Sequence, residues 1–157
     1  MIGMLDLLAL KFKSQAKGGK ILNIDIQIGD PDAGGIYVGK SATTGKDLHA
    51  AIHDERFYLT FDEARKAAAT MRKQPGRENA HVPTSRELND NLYQNRDRGA
   101  LKGTFNIGGE ISNGVYRSDD VNRRGYYGPA GIQWFDKQGH HSNWGRPDTP
   151  LPVRLVW

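Results

Sequence analysis

Cysteine is absent from the 157 residues, which removes disulfide frameworks, thiolate metal sites and thiol nucleophiles together. The same absence leaves the chain indifferent to the redox state of its surroundings. No run of 18 apolar residues occurs, so no segment is expected to cross a membrane. Charge of one sign is also lacking. The formal net charge of +4 comes from scattered residues, with Arg123-Arg124 and Lys11, Lys13, Lys17 and Lys20 as the only loose clusters. A nucleic-acid binder more often carries a basic stripe interleaved with aromatics, so nucleic acid is not expected as a partner. What is plentiful is glycine, 19 residues with 7 prolines, beside a modest 37% of AVILMFWYC. That balance indicates many turns and short strands, and the length suits a single core.

Near the start, Ile2, Leu5, Leu8 and Phe12 recur at helical spacing, with Met4, Leu7 and Leu10 widening the apolar face. Asp6 interrupts the run, no positive residue precedes it and no small-residue cleavage site follows, so it does not read as a signal peptide. Synthesis in the cytoplasm is therefore expected. Two readings stay open: a helix packed on the core, or a helix docking a partner or an identical subunit. Residues 1–19 are expected to form this attachment helix and a hinge at Lys17-Gly-Gly-Lys20, and residues 20–157 the main domain.

Ile21, Ile24, Ile26 and Ile28 suggest a strand by their alternation, followed by a turn over residues 30–35. Residues 36–40 and 48–52 flank a turn-rich stretch and read as a hairpin, and residues 57–59 as a short extended piece. Thr60 and Glu63 have capping-box spacing and open a helix to about Arg72, which Gln74-Pro75-Gly76 ends. Thr84 and Glu87 repeat the device after Val82-Pro83, opening a helix to about Tyr93 with Leu88 and Leu92 on one face. Residues 115–118, 132–136 and 153–156 read as short strands between long loops. Strands, two mid-chain helices, then strands and loops make an α+β chain with mixed or antiparallel short-stranded sheets.

Chemistry-bearing patterns are few. Gly34, Gly39, Lys40 and Ser41 match the phosphate-loop spacing, but Ile36-Tyr37-Val38 are strand formers and a turn stands where a helix should begin. His49 and His53 are four apart, with Ala50 where a zinc protease carries its glutamate. His140-His141 with Asp136 and Asp148 is a pattern that loops often produce by chance. Ser112, Ser118 and Ser142 have no evident base, and Asp119 and Asp120 point to opposite faces of an extended chain. No catalytic residue, metal ligand or cofactor is assigned. Two later stretches differ in kind. One carries Arg117, Asp119, Asp120, Arg123, Arg124, Tyr126 and Tyr127, the other His140, His141, Asn143, Trp144 and Arg146. Arg, Tyr and Trp dominate interface energetics, and Tyr, Ser, Gly and Asn make adaptable binding loops. Such loops either recognise a partner or fold back to pack their own aromatics.

From about Asp30 to Trp157, roughly four-fifths of the chain, these blocks resemble the Legionella collagen-like protein C-terminal family, which is similar to formylglycine-generating and C-type-lectin-like folds. The resemblance rests on Thr60 to Ala64, Val82-Pro-Thr-Ser-Arg-Glu-Leu88, Gly114-Val-Tyr-Arg-Ser-Asp119, Trp134 to Gly139, and Val153-Arg-Leu-Val156. His81 stands where the family pattern has Arg, and Arg117 where it has Trp. Formylglycine chemistry works through cysteine, so it is excluded. Arg146-Pro-Asp148 only partly echoes the calcium-lectin motifs. The resemblance implies a C-type-lectin-like scaffold that presents long loops.

The expected function is a non-enzymatic recognition or assembly module. Its loops would bind a protein partner or a glycan receptor, and its N-terminal helix would join a homo-oligomer or larger assembly such as a phage virion, a tail or a bacterial surface complex. A purely structural decoration or scaffold protein is the alternative, and a phosphate-loop nucleotide binder stands behind both.

Overall fold

A computed structural model describes residues 25–106, 114–121, 130–135 and 142–157, with Ser142 and Asn143 described by backbone alone. The attachment helix with Ile2, Leu5, Leu8 and Phe12 lies outside the described residues. So do the Lys17–Lys20 hinge, Ile21 and Ile24, the pairs Arg123-Arg124, Tyr126-Tyr127 and His140-His141, and Ser112 and Asp136.

The described chain is α+β, with two helices and two antiparallel three-stranded sheets. The first sheet joins β1 (Pro31–Asp32), β2 (Gly35–Lys40) and β3 (Asp47–Ala50) in sequence order. Ile36 and Val38 alternate inward and face Leu48 and Ala50 across the ladder, all four being buried. Between Tyr37 and Lys40 the register slips, and Gly39 takes φ +90°, a conformation that costs glycine little. A bulge frees backbone groups. Here Asn91 takes the carbonyls of Val38 and Lys40 on its Nδ2, at 3.0 and 2.8 Å, and accepts from the amide of Ala42 at 2.9 Å.

Helix α1 (Phe61–Met71) starts as its sequence expects. The Thr60 amide donates to the Glu63 carboxylate at 2.9 Å, and the Glu63 amide donates to the Thr60 hydroxyl at 3.4 Å. Its Ala64 and Ala68 pack on Val82, Val153 and Leu155. The second capping box also forms, between Thr84 and Glu87, but the helix is not a regular one. Over α2 (Glu87–Tyr93) the turns widen, and the Gln94 amide reaches the carbonyl of Asn89, five residues back, at 3.0 Å. The wider turn brings Glu87, Leu88, Asn91, Leu92 and Tyr93 to the interior together.

The second sheet joins β4 (Val115–Val121), β5 (Ala130–Trp134) and β6 (Ser142–Gly145). The main core lies where Tyr116 and Phe135 meet Phe105, Tyr93, Leu88 and Leu92 of the helical region and Ile36 and Val38 of the first sheet. Tyr116 and Phe135 rings are 4.4 Å apart and Tyr93 meets Phe135 edge-on at 5.3 Å.

Two local expectations differ from the structure. The strand expected through Ile28 does not form over residues 25–28. Instead Gln27 and Asp30 close a turn, and Gly29, at φ +97°, is pressed so close to Arg98 and Gly99 that a Cβ would sit 2.8 Å from backbone. Residues 153–156 make single bridges, Val156 pairing with both Ala50 and His81, so this segment stitches two neighbours rather than extending one ladder. The phosphate-loop match lies in β2 and its turn, with Lys40 paired to Asp47 at 2.9 Å, and no helix follows.

Candidate recognition surface

Register decides which of the later residues share a location. Val121 lies opposite Ala130, which lies opposite Gly145, while Gln133 lies opposite Ser142. The connection carrying Arg123, Arg124, Tyr126 and Tyr127 is therefore anchored at one end of the sheet. The connection carrying His140 and His141 is anchored at the other. A strand of β5's length separates the anchors, about 13 Å at a rise of about 3.3 Å per residue. Asp119, Asp120, Trp144 and Arg146 sit toward the Val121–Ala130 end, and Asn143 lies mid-sheet opposite Ile132.

Several of these side chains are committed to the scaffold. Arg117 corrects the expectation of a contact residue: it lies in β4, fully buried. The strand runs three residues further than its apolar pattern indicates, because Arg117 and Asp119 donate backbone amides to the carbonyls of Pro152 and Pro83, at 3.1 and 2.9 Å. The Arg117 Nη2 donates to the carbonyls of Thr149 and Arg146, whereas its Nε and Nη1 are buried with no partner among the described residues. Burial pulls its pKa down to about 10 against the opposing charge of Asp148. Asp119 pairs with Arg65 of α1 at 2.6 Å, and Asp120 accepts from the Ser85 amide at 2.6 Å. Arg146 forms an exposed pair with Asp148 at 3.1 Å, and Trp144 is half-buried. Beside them a cleft of about 260 Å³, lined by Thr60, Asp62, Pro147 and Asp148, opens between the start of α1 and the turn after β6.

The residues that the sequence reading missed lie in the loop over residues 51–59. Arg154, fully buried, holds this loop from beneath. Its Nε donates to Asp54 at 2.6 Å, its Nη1 to the carbonyls of Ala51 and Ile52 at 3.1 and 3.2 Å, and its Nη2 to the carbonyl of Thr104 at 2.7 Å. Its guanidinium also lies 4.2 Å from the Phe105 ring centroid. The Tyr116 hydroxyl donates to the other Asp54 oxygen at 2.6 Å, and burial with the Asp54 charge drives that phenol far above its ordinary value. Amides of Ala51, Glu55 and Leu59 donate to the carbonyls of Leu155, Val153 and Leu151, each at 2.9 Å. On this fixed backbone Ile52, Phe57 and Tyr58 are exposed, Phe57 by 67%, with Arg56 stacked 5.3 Å from its ring centroid. A signal was available: a lone arginine inside the apolar run from Leu151 to Trp157 needs a buried acidic partner.

The histidine pair does not converge. His49 lies in β3, 2.8 Å from Asp32 and stacked on Trp157, while His53 is exposed in the loop. Among the described residues no group of three or more His, Asp or Glu is placed to hold a metal ion. No helix among them is long and apolar enough to cross a membrane. Comparison with family models and with curated proteins returns no match to this chain.

Proposed function

We propose that this chain is a recognition and assembly module, a scaffold that presents preformed surface loops to a protein partner. The observation that carries the reading is Phe57, two-thirds exposed under Arg56, on a loop that Arg154 and three backbone hydrogen bonds fix to the core. Exposed apolar side chains on an ordered loop are costly to leave in water and cheap to bury in a complex, since little conformational freedom remains to be lost. Trp144, Arg146 and the base of the connection carrying Tyr126 and Tyr127 offer a second surface at one end of the second sheet. The resemblance to C-type-lectin-like domains points the same way, toward a phage virion or a bacterial surface complex as the setting. The Met1–Phe12 segment would serve attachment.

The test is capture of a partner from virion or envelope fractions of the source organism by the immobilised chain. Phe57→Ala should reduce capture by about 30-fold if Phe57 is an interface anchor worth about 2 kcal/mol. Equal capture by both proteins would remove Phe57 from the contact. Retention on a glycan array with no protein captured would replace the protein partner by a sugar.

A further inference from the structure

The buried carboxylate of Glu87 lies where four segments meet, and its bonding sets the protonation state of His81. Glu87 is fully buried and accepts from the Ser41 hydroxyl and from the Thr84 amide at 3.0 Å and hydroxyl at 3.2 Å, with His81 Nε2 3.0 Å away. The three donors from Ser41 and Thr84 hold the carboxylate ionised, and an ionised carboxylate has no proton to give, so Nε2 carries a hydrogen. On the other side of the ring, Nδ1 lies 2.7 Å from the carbonyl oxygen of Asn79, which only accepts. Nδ1 therefore carries a hydrogen too. A ring with both nitrogens protonated is an imidazolium, and a neutral ring would set a lone pair against one of the two acceptors.

The charged groups bearing on the ring are Glu87 of α2 and Asp119 of β4, the latter shared with Arg65 of α1. The 151–157 segment meets His81 by backbone, through two hydrogen bonds with Val156 at 2.8 and 3.1 Å. The β2–β3 turn meets Glu87 through Ser41, and Thr43 meets Thr84, hydroxyl to hydroxyl at 2.7 Å. Just beyond His81, Pro83 and Ser85 hold the far end of β4. The Pro83 carbonyl accepts from the Asp119 amide, the Ser85 amide donates to Asp120, and the Ser85 and Ser118 hydroxyls are 2.9 Å apart.

We infer that His81 is a proton-operated latch: as an imidazolium on Glu87 it fixes the 83–85 turn, and through that turn the Asp119–Asp120 end of β4, which it releases on losing its proton. Its functional meaning rests on the recognition reading, because that end of β4 is one base of the proposed second surface. Burial pulls the His81 pKa down, but the hydrogen bonds to Glu87 and Asn79 and the charges of Glu87 and Asp119 outweigh it and leave it above 6.5. Glu87 is pushed up by burial but pulled to about 2 by His81, Ser41 and Thr84. A raised histidine contributes fully below its unfolded value and fades as pH rises through its folded value. A depressed carboxylate contributes fully above its unfolded value of 4.5 and fades as pH falls toward about 2. The latch is thus closed from about 4.5 to about 6.5 and opens on the alkaline side.

NMR titration of the free chain tests this without any partner. His81 should titrate above the ordinary histidine value of 6.5. Over the same range the protection of the Ser85 and Asp119 amides against exchange should fall by about tenfold for each unit by which His81 exceeds that value. In His81→Gln, which keeps a neutral donor, that pH dependence should vanish. If the variant is unfolded, the wild-type titration alone decides. His81 titrating at or below 6.5, or Ser85 and Asp119 indifferent to its titration, overturns the latch. Neither result bears on partner capture through Phe57, so the two readings fail separately.

Discussion

Arg154 and Arg117 are equally inaccessible to water, yet the fold answers their charges in opposite ways. Arg154 has a carboxylate, three carbonyls, the Thr104 hydroxyl and an aromatic face. Among the described residues Arg117 has two carbonyls, both on Nη2, while Nε and Nη1 are unpartnered and the Phe61 ring lies 6.0 Å away. A buried cation that is fully paired rigidifies what it touches, whereas a half-paired one holds its neighbours weakly and costs desolvation free energy. The loop above Arg154 is accordingly the more firmly tied of the two. The turn above Arg117, residues 146–149, is tied to that guanidinium by one nitrogen, beside the Phe61 amide that donates to the Pro147 carbonyl at 2.8 Å.

The sharpest way to break this comparison is to remove each charge in turn. Arg154→Met leaves Asp54 in a half-buried site with a single phenolic partner, and strands the carbonyls of Ala51, Ile52 and Thr104. Losing one member of such a pair costs about 3–5 kcal/mol, read as a lowered denaturant midpoint. Adding Asp54→Asn should recover part of that loss. Arg117→Met removes a charge that forms no ion pair among the described residues and fills similar volume, so stability should change by about 1 kcal/mol or less, in either direction. A loss as large as that of Arg154→Met would mean that Arg117 is as well satisfied as Arg154. Smallest of all is Phe57→Ala. An exposed side chain contributes about 0.5 kcal/mol or less to folding, so the variant should keep the wild-type midpoint while losing partner capture.

What the sequence disclosed and what it hid follow from distance along the chain. Both helix starts are legible because a capping box is complete within four residues: Thr60 with Glu63, and Thr84 with Glu87. The first hairpin is legible from the alternation of Ile36 and Val38. The second job of Glu87 is not, since Ser41 lies 46 positions away, and the widened turn of α2 answers a bulge 51 residues earlier at Lys40. The two arginines look alike locally, each inside an apolar stretch. Asp54, which tells them apart, is 100 positions from Arg154. The later loops drew attention through composition, but composition carries no register, and register places their anchors at opposite ends of a sheet.

Hydrogen exchange of residues 51–59 in the free chain tests most directly whether the Phe57 surface is ordered before a partner arrives. The amides of Ala51, Glu55 and Leu59 should exchange as slowly as those of His81 and Val156, and should lose that protection in Arg154→Met. Exchange in the wild-type chain as fast as at the exposed Gly76 turn would contradict a preformed recognition loop.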